Sequence, residues 1–427
     1  MKGACLLARW LLPVVFVLAF GASPLEAQPL GAQSPDAQEF FFYYRHVAGD
    51  RYRIVSVVHQ DVFIDRRLSH RAEILNRIAV EVVAVEDGLA RHRATFQTSE
   101  RATAATGRGF ATAPGSVRSF QWAREYESEF YRDSRGRMAV DSRFFMPMVR
   151  NVPVFPEGPL RVGDTWSYEG YEVHDFRDNF GIPDPFVIAF TAHYEFLGER
   201  EWRGRMLPAF SVRFRIRDEP EPVRGRILPR RIQGDFDQIV FWDVEMGMPV
   251  AYREEFRYVF ELSNGRIIEY RGWAEAEIIE TERMDREELA REIAGDLERL
   301  GLEDVHVRVV DEGITIALED IQFFPDSAVM LPGEMDKIEA IAEILRRFPE
   351  RDILVGGHTA LAGTPEGRML LSTQRAAVVA DYLIELGARA ADRVVVRGYG
   401  AERPLASNET EEGMRRNRRV EITILEN

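Results

Sequence analysis

The chain has 427 residues, 45% of them hydrophobic and 29% charged, with a formal net charge of −15. That length exceeds one ordinary core, so two or three domains are expected, and the composition is that of a folded chain, not a disordered one. The acidic balance argues against the basic face of a nucleic-acid binder.

The first expected element is a secretory signal over residues 1–27. Lys2 and Arg9 supply positive charge, and Leu11 to Ala22 is apolar. That run is about a dozen residues, where a spanning helix needs roughly 20. Small residues follow and place cleavage near Ala27. Cys5, the single cysteine, precedes the apolar run. The mature chain is therefore expected to carry no lipidation cysteine, disulfide or thiolate chemistry. No later stretch is apolar enough for a transmembrane helix. Lys2 and Lys337 are the only lysines among 55 basic residues. Nearly every cation is thus a planar, forked arginine.

Residues 28–38 read as a flexible leader. Residues 39–282 read as a large antiparallel β-rich domain. Phe210 to Arg217 alternates apolar and polar side chains, and Phe256, Tyr258, Phe260 and Leu262 share one face of another strand. Ser263-Asn264-Gly265 marks a hairpin. Pro153, Pro156 and Pro159 make 151–159 the candidate division of this region into two. Alternation also suits a membrane barrel. Charges on many of these strands, and the missing rhythm of short turns and long loops, favour a water-exposed domain. Trp166 is expected to be buried, and Trp122, Tyr126, Phe130 and Tyr131 are expected in a core. This region resembles no family.

At residue 285 the period changes. Leu289, Ile293, Leu297 and Leu300 recur at helical spacing, with Gly301 as a stop, so 284–302 is a helical connector. From Ile314 the pattern is β-α-β-α-β. Pro332 opens one helix, and Thr364-Pro365 opens a second that Gly387 stops. Apolar faces on both helices call for a mixed sheet with the helices on one face.

This last region carries Phe323 to Ser327, Gly357-His358-Thr359, Leu371-Ser372 with Arg375-Ala376, Gly398-Tyr399-Gly400, Ser407-Asn408, Gly413 and Asn417-Arg418-Arg419-Val420-Glu421. In order and spacing it resembles the C-terminal peptidoglycan-associating domain of OmpA-like envelope proteins, over about 314–427 within a domain of 303–427. The resemblance implies a pocket for the diamino acid of the wall peptide, with an Asp for its ammonium and an Arg for its carboxylate. By motif position the Arg is Arg375. The Asp position holds Ala360, after Thr359. An Asn position eight residues on holds Arg368, and the family's Gly-Arg pair reads Gly413-Met414. The ligand-site candidates are Thr359, Ala360, Arg368, Arg375 and Arg418, with Arg418 and Arg419 also implied by the resemblance to hold the C-terminal segment. His358 reads as a strand-end cap. Weak, altered or lost wall binding follows.

Eight scattered His show no metal-ligand spacing, and no nucleophile elbow or phosphate loop is present. No catalytic residue, metal or cofactor is assigned. The expectation is an exported, non-enzymatic protein of the periplasm or outer membrane that touches peptidoglycan and other envelope proteins. The alternatives are an interaction module that has lost the wall pocket and works through its β-rich region, and a β-rich wall-active enzyme.

Overall fold

The computed structural model describes residues 39–104, 120–221, 226–280, 286–302, 305–310, 312–319, 321–324, 327–349 and 351–425. The expected signal and leader, residues 1–38, lie outside the described residues. The described chain divides into two compact units. One holds 39–98, 102–104 and Glu125–Glu280; the other holds Ser99–Arg101, 120–124 and the described residues from 286 onward.

The strands in the first part of the chain are β1 (Arg51–Ile64), β2 (Arg67–Glu86), β3 (Leu89–Ala104), β4 (Phe120–Asp133), β5 (Met138–Val140), β6 (Val149–Arg150), β7 (Thr165–His174), β8 (Phe186–Trp202), β9 (Arg205–Asp218), β10 (Pro229–Asp243), β11 (Met248–Leu262) and β12 (Ile267–Glu280). A short helix, α1 (Arg177–Phe180), follows β7. Antiparallel pairing runs β6–β7–β8–β9–β10–β11–β12–β1–β2. Period-two alternation sets the faces. Phe210, Val212, Phe214 and Ile216 are buried, while Arg213, Arg215 and Arg217 are exposed. The inward side chains gather around Trp242, Tyr258, Phe155 and Phe210. The outward face carries directly opposed ion pairs: Arg213 with Asp237 at 3.0 Å, Arg215 with Asp235 at 3.2 Å and Arg71 with Asp61 at 3.0 Å. Exposed pairs contribute only about 0–1 kcal/mol each. They do fix the polarity of that face, since lipid charges about 2–4 kcal/mol for an arginine at its midplane.

Two expectations need correction. Tyr131 is 44% exposed while Phe130 is 3% exposed, because neighbours on one strand point to opposite faces. Trp166 is only partly buried, since it stands at the start of β7; its indole N–H donates to the Val154 carbonyl at 2.8 Å.

The second unit contains α2 (Arg286–Arg299), β13 (Val305–Val310), β14 (Gly313–Glu319), α3 (Pro332–Leu345), β15 (Ile353–Gly357), α4 (Pro365–Glu385), β16 (Val394–Gly398), α5 (Glu411–Asn417) and β17 (Arg419–Leu425). Its strands pair in the order β13–β14–β17–β15–β16, parallel only between β15 and β16. Ile293 and Leu297 of α2 share one core with Ile338 and Ile341 of α3, Ala376 and Val379 of α4, and Val355 and Ile422 of the sheet. Thr364 caps α4 by accepting the Gly367 N–H at 3.1 Å, and Pro365 needs no partner at that end. Among the described residues no helix is long and apolar enough to cross a membrane.

The α4 helix lies so close to the sheet that two strand positions admit no side chain. A Cβ at Gly357 would overlap the Ser372 carbonyl oxygen, and one at Gly398 would overlap the Thr373 hydroxyl. Gly357→Ala is expected to lower the stability of this unit by about 3 kcal/mol, the upper end of overpacking costs, because the obstacle is backbone. Chemical denaturation followed on the second unit checks this.

Candidate functional site

The loop 358–364 leaves β15 and enters α4. The Thr359 N–H donates to the Gly400 carbonyl at 2.8 Å, and the Leu361 N–H donates to Asn408 Oδ1 at 3.0 Å. Asn408 is held in turn by Asn417, which is fully buried. Asn417 accepts the N–H groups of Leu405 and Ala406 at 2.7 and 3.0 Å, and donates to Ala406 O and Asn408 Oδ1 at 2.8 and 3.0 Å. Ser372 ties the other side, accepting the Gly400 N–H at 2.9 Å and donating to the Met369 carbonyl at 2.9 Å. Ser407-Asn408 and Asn417 thus build the loop.

The sequence-predicted residues fall in three places. Thr359 and Ala360 are in the loop, 7% and 5% exposed, and the Thr359 hydroxyl is buried with no hydrogen-bond partner. Arg368 and Arg375 lie seven residues apart on one face of α4. Arg368 is half-buried and donates to the Gly363 carbonyl at 2.6 Å. Arg375 is half-buried, donates to the Ser327 carbonyl at 3.1 Å and holds its guanidinium 4.7 Å from the Phe323 ring centre. Arg418 ends α5, half-buried, and its side chain has no partner among the described residues. No carboxylate is hydrogen-bonded to Thr359, Ala360 or Leu361 among the described residues. Glu366, at the start of α4, is exposed.

One acid does touch the loop, and it is occupied. Glu421 accepts from Arg308 at 2.5 Å and from Arg419 at 2.8 Å, and lies 3.3 Å from His358 Nε2. Burial acts to raise its pKa, but the His358 and Arg419 contacts outweigh it and hold the carboxyl well below the usual range. Only the Arg419 part of that depression is independent of the protonation of His358. Burial lowers the pKa of His358 itself, against the pull of Glu421. Its ring stacks on Tyr399 at 4.8 Å, so this histidine is a packed structural group. The structural arginine is Arg419, 3% exposed, and not its neighbour Arg418. The alternation of Arg419, Glu421 and Thr423 with Val420, Ile422 and Ile424 carries that signal in the sequence.

In the first unit, Glu172, His174 and Tyr258 form a cluster of catalytic type. The Tyr258 hydroxyl donates to Glu172 at 3.2 Å and lies 2.9 Å from His174. Their exposures are 0%, 4% and 0%. Glu172 Oε2 contacts both partners inside the core, while Glu172 Oε1 is buried without a hydrogen-bond partner. Among the described residues no group of three or more His, Cys, Asp or Glu could hold a metal ion.

The loop, the sheet and the arginine-bearing helix belong to one α/β domain. Residues 322–418 form an OmpA family domain; the N-terminal region matches no family. Over 104 residues the chain is 38% identical to the peptidoglycan-binding protein ArfA of Mycobacterium tuberculosis, covering 24% of this chain and 32% of that one. Over 121 residues it is 37% identical to the probable lipoprotein YiaD of Escherichia coli, covering 28% and 55%. A solved outer membrane protein of Borrelia burgdorferi is 34% identical, covering 28% of this chain and 96% of that one, with a TM-score of 0.24. The chain spans between about a third and about half of these two curated relatives.

Proposed function

We propose that this is a non-catalytic protein of the cell envelope whose OmpA-like unit, helices on one face of a mixed sheet, touches peptidoglycan through a one-sided pocket. Supporting this is the relation to a peptidoglycan-binding protein over the domain that carries Arg375. The observation that carries the one-sidedness is Ala360, standing where the ammonium-binding carboxylate belongs, with no acid bonded to its loop. Arg375 offers the wall peptide's carboxylate a forked partner. The complex is then weak and salt-sensitive, because one part-exposed charge does most of the work.

The test is retention of the full chain on purified sacculi. Weak retention is expected at low salt, reduced at least tenfold by Arg375→Gln. No enrichment over a blank support rejects the reading. A second reading places function in the β-rich unit, and the cavity described next favours it as an addition.

A further inference from the structure

The apolar residues of the β-rich unit do not form one core. Ile78, Val80, Phe96, Phe130, Met146 and Met148 make a cluster of their own, separate from the cluster around Trp242 and Tyr258. Between them lies a cavity of about 470 Å³, lined by residues of both. That volume lies within the range of small-molecule sites, roughly 300–1,000 Å³. Four of the chain's 12 methionines line it: Met146, Met148, Met246 and Met248. Methionine is the side chain that best adapts to a variable aliphatic guest.

The lining also holds Arg45, His46, Asp50, Arg51, Gln238 and Glu245, and two groups stand out from these. Arg132 is half-buried against the rings of Tyr44 and Phe130, at 4.7 and 5.5 Å. Its only side-chain contacts among the described residues are these rings, the Met138 sulfur at 3.4 Å and the Tyr52 hydroxyl; its Nε has no partner and no carboxylate pairs with it. Its charge is felt around it. Burial first, and Arg132 second, push His92 down to about 3 and lower His46. The second group is Glu254, 1% exposed, with neither carboxyl oxygen hydrogen-bonded. Burial raises its pKa well above the usual range, with Glu172 and Asp237 adding to the effect.

Strand register measures their separation. Arg132 meets Tyr52 on β1, while Glu254 is opposite Ala274, and Ala274 is opposite Val58. Tyr52 and Val58 are six residues apart, on the order of 20 Å of strand. The cavity lining therefore runs from the Arg132 cation at one end toward the buried acid Glu254 at the other. Burial favours the uncharged form of Glu254, the form compatible with an apolar tail beside it.

We propose that the β-rich unit binds a single-chain amphiphile, its anionic head on Arg132 and its tail along the channel toward Glu254. The head chemistry is shared by a free fatty acid and a lysophospholipid. The site lies wholly in the first unit and stands independently of the wall reading.

The test uses the delipidated full chain and calorimetric titration below micelle formation. The probes are hexadecanoate, palmitoyl lysophosphatidylglycerol and, as the opposite charge on the same tail, hexadecyltrimethylammonium. One-to-one binding of at least one anionic probe is expected at micromolar Kd, with the cationic probe at least tenfold weaker. Binding by hexadecanoate alone identifies the free acid, and binding by the lysophospholipid alone identifies the phospholipid; either supports the site. Arg132→Gln is expected to weaken the anionic probe at least tenfold. Ile78→Trp, which fills the channel, is expected to abolish binding with the far-ultraviolet circular dichroism unchanged. If either variant fails to fold, the comparison of head charges on the wild-type chain decides. No one-to-one binding of either anion, equal binding of the cation, or full binding by a folded Ile78→Trp chain overturns the proposal.

Discussion

Ala360→Asp is expected to tighten sacculus binding by roughly thirty- to several-thousand-fold, since one partner of a desolvated charge pair is worth about 2–5 kcal/mol at about 1.4 kcal/mol per decade. The proposed partner of that carboxylate, Arg375, and the loop are held in position. Arg375 is anchored by the Ser327 carbonyl and the Phe323 ring, and the loop is held by Asn408, Asn417 and Gly400. The unpartnered Thr359 hydroxyl stands beside the new carboxylate and can donate to it. Arg368 opposes the gain, because a cation near the ligand ammonium repels it. Arg368→Asn is therefore expected to add several-fold more in the Ala360→Asp background and almost nothing alone. Equilibrium binding of the four chains to sacculi measures both effects. An Ala360→Asp chain that binds no better than wild type places the function outside this pocket.

The second large effect concerns stability. Glu421→Ala is expected to cost about 3–5 kcal/mol, the usual penalty for removing one partner of a buried ion pair. Arg419 would be left buried with only the Arg403 carbonyl and Glu319 nearby, and Arg308 would lose its acid. Because β17 lies between β14 and β15, the loss falls at the middle of the sheet. The pH dependence has a definite sign. Glu421 has its folded pKa depressed below the ordinary 4.5, so its contribution is complete above about that value and is lost as pH falls through the folded value. Glu421→Gln is expected to flatten this acid limb of the stability curve. Urea midpoints of the second unit between neutral pH and pH 3 check both statements.

The elements whose signal is local were legible in the sequence. Alternation around Phe210 and Phe256 gives strands, and the Thr364-Pro365 and Gly387 punctuation gives both ends of α4. The motif string around His358 gives the site's loop and its arginine. The remainder depends on register between distant segments. Arg308 and Glu421 are 113 residues apart in the chain and meet only because β13, β14 and β17 are neighbours. Arg418 and Arg419 both read as holding the C-terminal segment, but of the two only Arg419, two residues from Glu421 on β17, is buried. The cavity is illegible for the same reason: Tyr52, Phe130, Met146 and Glu254 share no local pattern. Among the four aromatics near Trp122, composition said core, but strand direction put Tyr131 outside.

The central claim is that the wall pocket supplies a cationic grip and no anionic one. Titration of the full chain with three versions of one soluble muropeptide tests it most directly: unmodified, amidated at the diamino-acid carboxylate, and acetylated at the adjacent ammonium. Amidation is expected to abolish the weak binding, while acetylation changes Kd by less than about threefold. Tight binding of the unmodified muropeptide that acetylation removes would contradict the account.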